Sequence, residues 1–327
     1  MSPSRRKRWI VLSGLGVVAA VAGAGFWEWP VTYYDGFTGA WIWLRGFRGR
    51  WIAVNGYRLH YLVDGPEEGP PVVLLHGLGG RAQNWRNFAP YLAKAGFRVY
   101  MPDLLGFGRS DQPEDFSYSV GDEASVILAF IRALGLSSID LGGWSMGGWV
   151  AQLVAAQAPD LVRHLMIFDS AGLHVYPKWK AEIFTPTTPE QLESLNAIMN
   201  PKPSTIPGFI ARGIIRYYEP YNWVIRRALG AMFSGRDVTE KILPTLKMPV
   251  FLGWGGSDKC IPVDQAERMH GLIPDSELHA IPGCGHLAPL DCARHLGPKA
   301  VAFLKQGQGL EPEAGVSAEN TAGATSV

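Results

Sequence analysis

The segment 143–147 (GWSMG) carries the strongest chemical pattern in this sequence, because it matches G-x-S-x-G. An apolar run at 139–141 precedes it and a helical run at 146–157 follows it, which is the context that the motif requires. Ser145 is therefore predicted on a sharp strand-to-helix turn, with its hydroxyl beside helix N–H groups that favour an anion. We predict that Ser145 is a nucleophile; an inert glycine-rich turn is the simpler alternative.

A serine hydroxyl needs a base to become nucleophilic, and the sequence offers eight histidines. His286 is favoured, since 283–287 (GCGHL) follows an apolar run and is predicted at the same sheet edge as Ser145. His76, within 76–80 (HGLGG), is expected to order its own loop. Structural roles are expected for the other histidines considered, which are His60, His164, His270 and His295.

The base needs an acidic partner that holds its tautomer and stabilises the imidazolium ion. Asp258, in 255–258 (GGSD), follows an apolar run at 250–252 and completes the chain order Ser, Asp, His. Asp169 ends another apolar run and remains the rival, because it would lie at the same edge. Asp103 is expected to order the glycine-rich loop that follows it.

Backbone donors are needed where negative charge develops on the substrate. The loop 76–80 is predicted to supply the N–H of Leu78, and the helix after the nucleophile to supply the N–H of Met146. The segment 106–110 (GFGRS) lacks the GK[ST] ending of a phosphate loop, so nucleotide binding is discounted. This chemistry requires no metal and no organic cofactor.

The elements that must position these residues alternate between strands and helices. Asn55-Gly56 between the runs 51–54 and 57–63 predicts a hairpin. Strands are then predicted at 72–75, 98–101, 139–141, 165–168 and 250–252, and helices at 85–94, 122–134, 146–157 and 264–272. Because the strands are almost wholly apolar, we predict an α/β fold with a mostly parallel, doubly wound sheet.

The alternation stops between 173 and 240, where prolines and helix-period aromatic residues predict an inserted helical subdomain. The predicted organisation is 1–30 for a basic cluster and membrane helix, 31–50 for an aromatic juxtamembrane segment, 51–172 and 241–306 for the core, 173–240 for a cap and 307–327 for a disordered tail.

The amino terminus predicts a membrane anchor. Four basic residues at 5–8 precede 19 uncharged residues at 9–27, a helix of about 28 Å that matches the hydrocarbon thickness of a bilayer. The basic cluster predicts a single pass with the body on the non-cytoplasmic side, periplasmic or extracellular. A cleaved secretory signal is the alternative. The aromatic stretch 31–47 either lies at the membrane surface or is a linker packed on the body.

Charge and cysteine content exclude several classes of protein. Lys and Arg total 30 against 29 Asp and Glu, for a net charge of +1, which argues against nucleic-acid binding. Three cysteines cannot form a disulfide framework. Cys260 and Cys284 flank Asp258 and His286 closely enough that they either bridge or remain buried free thiols, and free thiols are favoured.

Five segments occur in the order found in the α/β-hydrolase superfamily, which the chain resembles over about 51–305: 76–80, 103–110 (DLLGFGRS), 143–148 (GWSMGG), 255–258 and 283–286. The resemblance implies Ser145 as nucleophile, His286 as base, Asp258 as acid and a cap at 173–240. Haloalkane dehalogenases and epoxide hydrolases of this fold carry an aspartate at the position of Ser145, so those activities are disfavoured.

A narrower resemblance is to the membrane-anchored monoacylglycerol lipase and lysophospholipase branch. It rests on the apolar amino terminus, 170–173 (SAGL) and 184–190 (FTPTTPE). It implies a membrane-associated serine ester hydrolase whose substrates are amphiphilic lipids. The alternatives are a cofactor-free C–C bond hydrolase or perhydrolase with the same triad, and a non-catalytic anchored module that binds lipid. The oligomeric state is left open.

Overall fold

A computed structural model describes residue 23 and residues 25–174 and 177–306 of the 327-residue chain. The predicted membrane helix therefore lies mostly outside the described residues, as does the predicted disordered tail at 307–327. Among the described residues, no helix has both the length and the apolar character needed to cross a membrane.

Eight strands form a single sheet at the centre of the molecule. They are β1 (Arg48–Val54), β2 (Tyr57–Asp64), β3 (Pro71–Leu75), β4 (Arg98–Pro102), β5 (Ile139–Trp144), β6 (Val162–Phe168), β7 (Val250–Gly255) and β8 (Ser276–Ile281). The spatial order is β1-β2-β4-β3-β5-β6-β7-β8, and only the pairs made by β2 are antiparallel. The predicted α/β-hydrolase fold with a mostly parallel sheet is thus confirmed.

Asn55 and Gly56 form the predicted hairpin between β1 and β2. Both have positive φ angles, 51° and 87°, which a two-residue turn of the primed type requires. The turn pairs Val54 with Tyr57. Strand β1 begins at Arg48, before the apolar run starts, because an exposed edge strand tolerates polar residues.

Helices cover both faces of the sheet. They are α1 (Pro30–Leu44), α2 (Ala89–Lys94), α3 (Val120–Ala133), α4 (Met146–Gln157), α5 (Pro189–Met199), α6 (Gly208–Tyr218), α7 (Asn222–Phe233), α8 (Asp264–Leu272), α9 (Ala288–Asp291) and α10 (Ala293–Gln306). One apolar cluster joins the sheet to α3 and α4, and the other joins it to α2 and α10. This doubly covered sheet explains why its strands are almost wholly apolar.

The single helix predicted at 85–94 is wrong. The chain forms a 3₁₀ turn at Ala82–Trp85 and then begins α2 at Ala89. Pro90 lacks the N–H that would donate to the carbonyl four residues earlier, so one α-helix cannot run through this region without losing a bond.

Helices α5, α6 and α7 lie between β6 and β7 in the chain, and α1 packs on α6. We call α1 and α5–α7 together the cover. A Cβ added to Gly213 of α6 would lie 2.6 Å from the Cγ of Pro30, so glycine is what permits this close packing. Helix α1 forms despite two glycines, and it both packs on the body and exposes aromatic rings.

Candidate active site

Ser145 occupies the turn between β5 and α4. Its φ and ψ angles are 57° and −121°, a conformation that costs free energy for a residue with a side chain. The neighbouring glycines are sterically required. A Cβ on Gly147 would lie 2.3 Å from the carbonyl oxygen of His76, and one on Gly143 would lie 2.1 Å from that of Gly147. The sequence therefore holds the Ser145 hydroxyl at the carboxyl end of the parallel strands.

His286 and Asp258 meet Ser145 at this edge of the sheet. The Nε2 atom of His286 lies 2.9 Å from the Oγ of Ser145, and its Nδ1 atom lies 2.8 Å from Oδ2 of Asp258. Ser145 follows β5, Asp258 follows β7 and His286 follows β8, so three strands of the same sheet position the three side chains. His286 and Asp258 are both buried.

The hydrogen bonds fix the form of the imidazole. A carboxylate only accepts, so Nδ1 of His286 carries the proton toward Asp258 and Nε2 is left to accept the Ser145 hydroxyl. The backbone N–H groups of Cys260 and Ile261 donate to Oδ1 of Asp258, at 2.8 and 2.9 Å. Burial lowers the pKa of His286, but the Asp258 carboxylate and Cys260 outweigh burial and raise it well above its ordinary value.

The main chain at His286 is fixed from two sides. Its backbone N–H donates to the carbonyl of Met199, the last residue of α5, at 3.0 Å. Its carbonyl accepts the indole N–H of Trp144 at 2.7 Å. Sequence reasoning missed both partners, because Met199 and Trp144 are far from His286 in the chain and carry no motif signal for this contact.

Asp169, the rival acid, lies at the end of β6 and is fully buried. Its carboxylate accepts the backbone N–H of Gly255 at 2.7 Å and that of Ala288 at 3.1 Å. Burial and the neighbouring Asp258 carboxylate raise the pKa of Asp169 well above its ordinary value. The imidazole of His286 thus bonds to Asp258. Asp169 instead links Gly255, just before the turn that holds Asp258, with Ala288, just after His286.

The two predicted backbone donors belong to the two segments that adjoin Ser145. Met146 is the first residue of α4, and Leu78 belongs to the loop after β3 that lines the same cavity as Ser145. A Cβ on Gly77 would lie 3.0 Å from the Cβ of Ser145, so the main chain of this loop packs directly against Ser145.

His76 and Asp103 hold the loops near the site. His76 accepts the N–H of Leu104 through Nε2 at 2.9 Å and contacts the carbonyl of Gly77 through Nδ1 at 2.8 Å. Burial lowers the pKa of His76, which favours the neutral ring. Asp103 accepts the backbone N–H groups of Ala82 and Arg109.

The other histidines considered bond elsewhere: His60 to Asp103, His164 to Asp140, His270 to Ser276, and His295 to Arg294.

The possible bridge between Cys260 and Cys284 is wrong, and the favoured prediction of buried free thiols is confirmed for Cys260 but wrong for Cys284. Cys284 forms a disulfide with Cys292, and Cys260 is a buried free thiol. The turn after His286 folds back and brings the Cα atoms of Cys284 and Cys292 to 6.3 Å, within the usual range for a disulfide. Cys260 instead supports Asp258 through its backbone N–H.

A cavity of about 440 Å³ opens in front of Ser145. Its apolar lining comes from the body and from the segment between β6 and β7, and includes Trp149, Leu173, Trp179, Phe184, Leu229 and Phe233. Exposed Lys178 and Lys259 also line it. Across 25–174 and 177–306, no group of three or more His, Cys, Asp or Glu side chains could hold a metal ion.

The sheet order and the serine turn are those of an α/β hydrolase. The sequence model of the alpha/beta hydrolase fold family matches residues 70–184 and 199–292, so the chain belongs to this family. Because it belongs to this family, the chain is a hydrolase. Similarity to individual members further limits the class of hydrolase.

The relatives include lipases and C–C bond hydrolases. Lipase 1 of Psychrobacter immobilis is 28% identical over 74% of this chain and 79% of the lipase. The 2-hydroxy-6-oxo-6-phenylhexa-2,4-dienoate hydrolase of Burkholderia cepacia is 29% identical over 73% of this chain and 89% of that enzyme. The crystal structure of a membrane phospholipase A, described as a bacterial virulence factor, is 27% identical, with a TM-score of 0.78 over 93% of this chain and all of that chain.

Proposed function

We propose that this protein is a membrane-associated serine ester hydrolase that cleaves amphiphilic lipids of the monoacylglycerol or lysophospholipid type. The observation that carries the proposal is the position of the Ser145 hydroxyl, 2.9 Å from the Nε2 atom of His286 and facing an apolar cavity.

In the first half of the reaction, His286 takes the Ser145 proton while the oxygen attacks the acyl carbonyl carbon. The tetrahedral oxyanion collapses as His286 returns the proton to the leaving alcohol, which leaves an acyl-Ser145 ester. Water then repeats the sequence, releasing a fatty acid and restoring the serine. Asp258 keeps the proton on Nδ1 of His286 and stabilises the imidazolium ion formed in each half.

The oxyanion is assigned to the backbone N–H groups of Leu78 and Met146. Met146 contributes a donor from the first turn of α4, where the helix dipole also favours negative charge. Leu78 contributes from the loop that packs against Ser145. One such donor is worth about 3 kcal/mol of transition-state stabilisation.

The acyl chain is assigned to the apolar cavity. Burying each CH₂ group contributes about 0.8 kcal/mol, so a chain that leaves a bilayer keeps this free energy only in an apolar pocket. Trp179, Phe184 and Leu229 supply such a surface. Lys178 and Lys259 are available to a phosphate or glycerol head group at the same cavity.

Membrane association is supported by the sequence and by the surface of α1. The uncharged segment 9–27 leads into this helix, whose Phe37 and Leu44 are 72% and 76% exposed. Aromatic and apolar side chains of this kind favour the interface of a bilayer. We assign the body to the non-cytoplasmic side, with attachment by the amino-terminal segment; a cleaved secretory signal is the alternative.

A cofactor-free C–C bond hydrolase is the second candidate, because the dienoate hydrolase relatives are as similar as the lipases. Such a substrate is a vinylogous diketone with a carboxylate, which Lys178 or Lys259 would also attract. Turnover of a diketone at a rate above that of acyl esters would favour this candidate over the lipid hydrolase.

The test is a panel of monoacylglycerols, lysophospholipids, short esters and one vinylogous diketone, assayed with the full chain and with Ser145→Ala. The substitution is expected to cut ester hydrolysis by about 10⁴-fold, because the nucleophile is lost while the fold remains.

Ser125→Ala is the matched control, because the Ser125 hydroxyl donates a hydrogen bond to the carbonyl of Gly121 within α3. Ester hydrolysis above a tenth of normal in Ser145→Ala would refute the nucleophile, and labelling of Ser145 by a fluorophosphonate would exclude a non-catalytic module.

A further inference from the structure

Arg81 connects three parts of the molecule at one guanidinium group. It directly follows the loop 76–80 that packs against Ser145. Its Nη1 donates to Oδ2 of Asp35 in α1 at 2.6 Å, and its Nη2 donates to the other oxygen of the same carboxylate. Nη1 also donates to the hydroxyl of Tyr217 in α6, at 2.6 Å.

This ion pair is well shielded from water. The side chains of Arg81 and Asp35 are 23% and 20% exposed. Burial lowers the pKa of Arg81, but the bond to Asp35 and the neighbouring tyrosines raise it above its ordinary value, so the charge is retained. A bidentate arginine–carboxylate pair also fixes the orientation of both groups. The contact therefore constrains where the main chain at Arg81 lies.

That constraint is close to the proposed oxyanion donor. The N–H of Arg81 donates to the side chain of Asn84 at 2.7 Å, and the N–H of Gly80 donates to the carbonyl of Gly77 at 2.9 Å. Leu78 lies inside this tight turn. Gly79, with a φ of 68°, allows the turn a conformation that other residues rarely adopt.

We propose that Arg81 is a positioning residue, which sets the backbone N–H of Leu78 relative to Ser145 according to how α1 and α6 are docked. The inference rests on the proposed function and extends it, because it makes the amino-terminal helix part of the control of the active site. A change in the position of α1 reaches the site through Asp35 and Arg81.

A positioning role and a merely structural tie differ in their kinetics. A misplaced oxyanion donor weakens binding of the transition state more than binding of the substrate, so it lowers kcat and leaves KM nearly unchanged. A merely structural tie, when lost, lowers the amount of folded enzyme and leaves the kcat of each remaining active site unchanged.

The experiment uses the full chain with a soluble short-chain ester and normalises kcat to active sites titrated with a fluorophosphonate. Arg81→Ala is expected to lower kcat by about 10- to 100-fold, since small misplacements of catalytic groups have effects of this size. Asp35→Asn and Tyr217→Phe are expected to lower it less. Guanidinium ion added to Arg81→Ala is expected to restore part of the loss.

Arg86→Ala is the matched control. Its guanidinium also reaches α1, at the hydroxyl of Tyr34, and its other hydrogen bond is to the carbonyl of Gln83 rather than to α6. This variant is expected to keep normal kcat. If Arg81→Ala does not fold, Arg81→Lys keeps the charge without the bidentate contact and tests the same point.

A kcat per active site within twofold of normal in the Arg81 variants would overturn the inference. So would an additive loss in the double variant Arg81→Ala/Asp35→Asn, because the two side chains would then act separately. Ser145→Ala is assayed in parallel: if it stays active, the proposed function fails, whereas normal Arg81 variants beside inactive Ser145→Ala overturn only the role of Arg81.

Discussion

The edge of the sheet and the cover are built in different ways. At the edge, Ser145, Asp258 and His286 follow strands, and their polar atoms are paired with one another or with backbone N–H groups. The cover reaches the body through the buried apolar face of α7 and through separate hydrogen bonds, such as those of Met199 with His286 and Tyr217 with Arg81. It also exposes large aromatic side chains to solvent.

The difference separates two tasks. A sheet whose strands are buried on both faces holds side chains within a fraction of an ångström, which bond-making requires. Residues of the cover that line the cavity without bonding to the edge, such as Leu229 and Phe233, can change without disturbing that geometry. We therefore expect substitutions at the edge to change the rate for every ester, and substitutions in the cavity lining to change which ester is preferred.

The largest expected effect comes from the two buried carboxyl groups at the edge. Asp258→Asn is expected to lower kcat by about 10⁴-fold, because the imidazole loses its acceptor and its tautomer. Asp169→Asn is expected to lower it by about tenfold or less, since one buried backbone hydrogen bond is lost. Steady-state assays on one short ester measure both. Equal losses in the two variants would contradict the assignment of Asp258 as the acid.

The pH profile gives the next largest effect. The pKa of His286 is raised above the ordinary histidine value of about 6.5. Below the raised pKa the ring is protonated, and a protonated ring cannot accept the Ser145 proton. In the free enzyme kcat/KM is expected to fall about tenfold per pH unit below the raised pKa. An acidic limb at or below pH 6.5 would contradict this sign.

Loss of an aromatic ring from the cavity is expected to give the smallest effect. Phe184→Ala removes about 1.5 kcal/mol of apolar contact with a long acyl chain, a loss of about tenfold in kcat/KM. Esters with two to four carbons should be hydrolysed at the normal rate. Trp51→Ala, which removes an exposed ring outside this cavity, should leave both classes unchanged. An equal loss for short and long esters would contradict the assignment of the acyl chain to this cavity.

Much of the edge was predictable from sequence because its signals are local. The turn at Ser145 combines an apolar strand, obligatory glycines and a helix within a few residues, and the apolar strands predict the parallel sheet. The preference for Asp258 over Asp169 had a basis in chain order, but both follow strands of the same sheet. Only their distances to neighbouring groups distinguish them.

Long-range contacts were not predictable in this way. The pairing of Cys284 with Cys292 depends on how the turn after His286 folds back, and the pairing of Asp35 with Arg81 joins residues 46 positions apart. Neither spacing carries a periodic signal. The contacts made by the cover could therefore be established only from the structure. The strands of the core, in contrast, could be predicted from runs of apolar residues in the sequence.

The bond between the N–H of His286 and the carbonyl of Met199 limits how a lipid can enter. Lifting α5 away from the sheet breaks this bond and frees the main chain that orients the imidazole. An entry route that displaced α5 would therefore cost one of the two hydrogen bonds that fix the main chain of His286. Helix α7, whose Leu229 and Phe233 line the cavity, can meet an acyl chain without that loss.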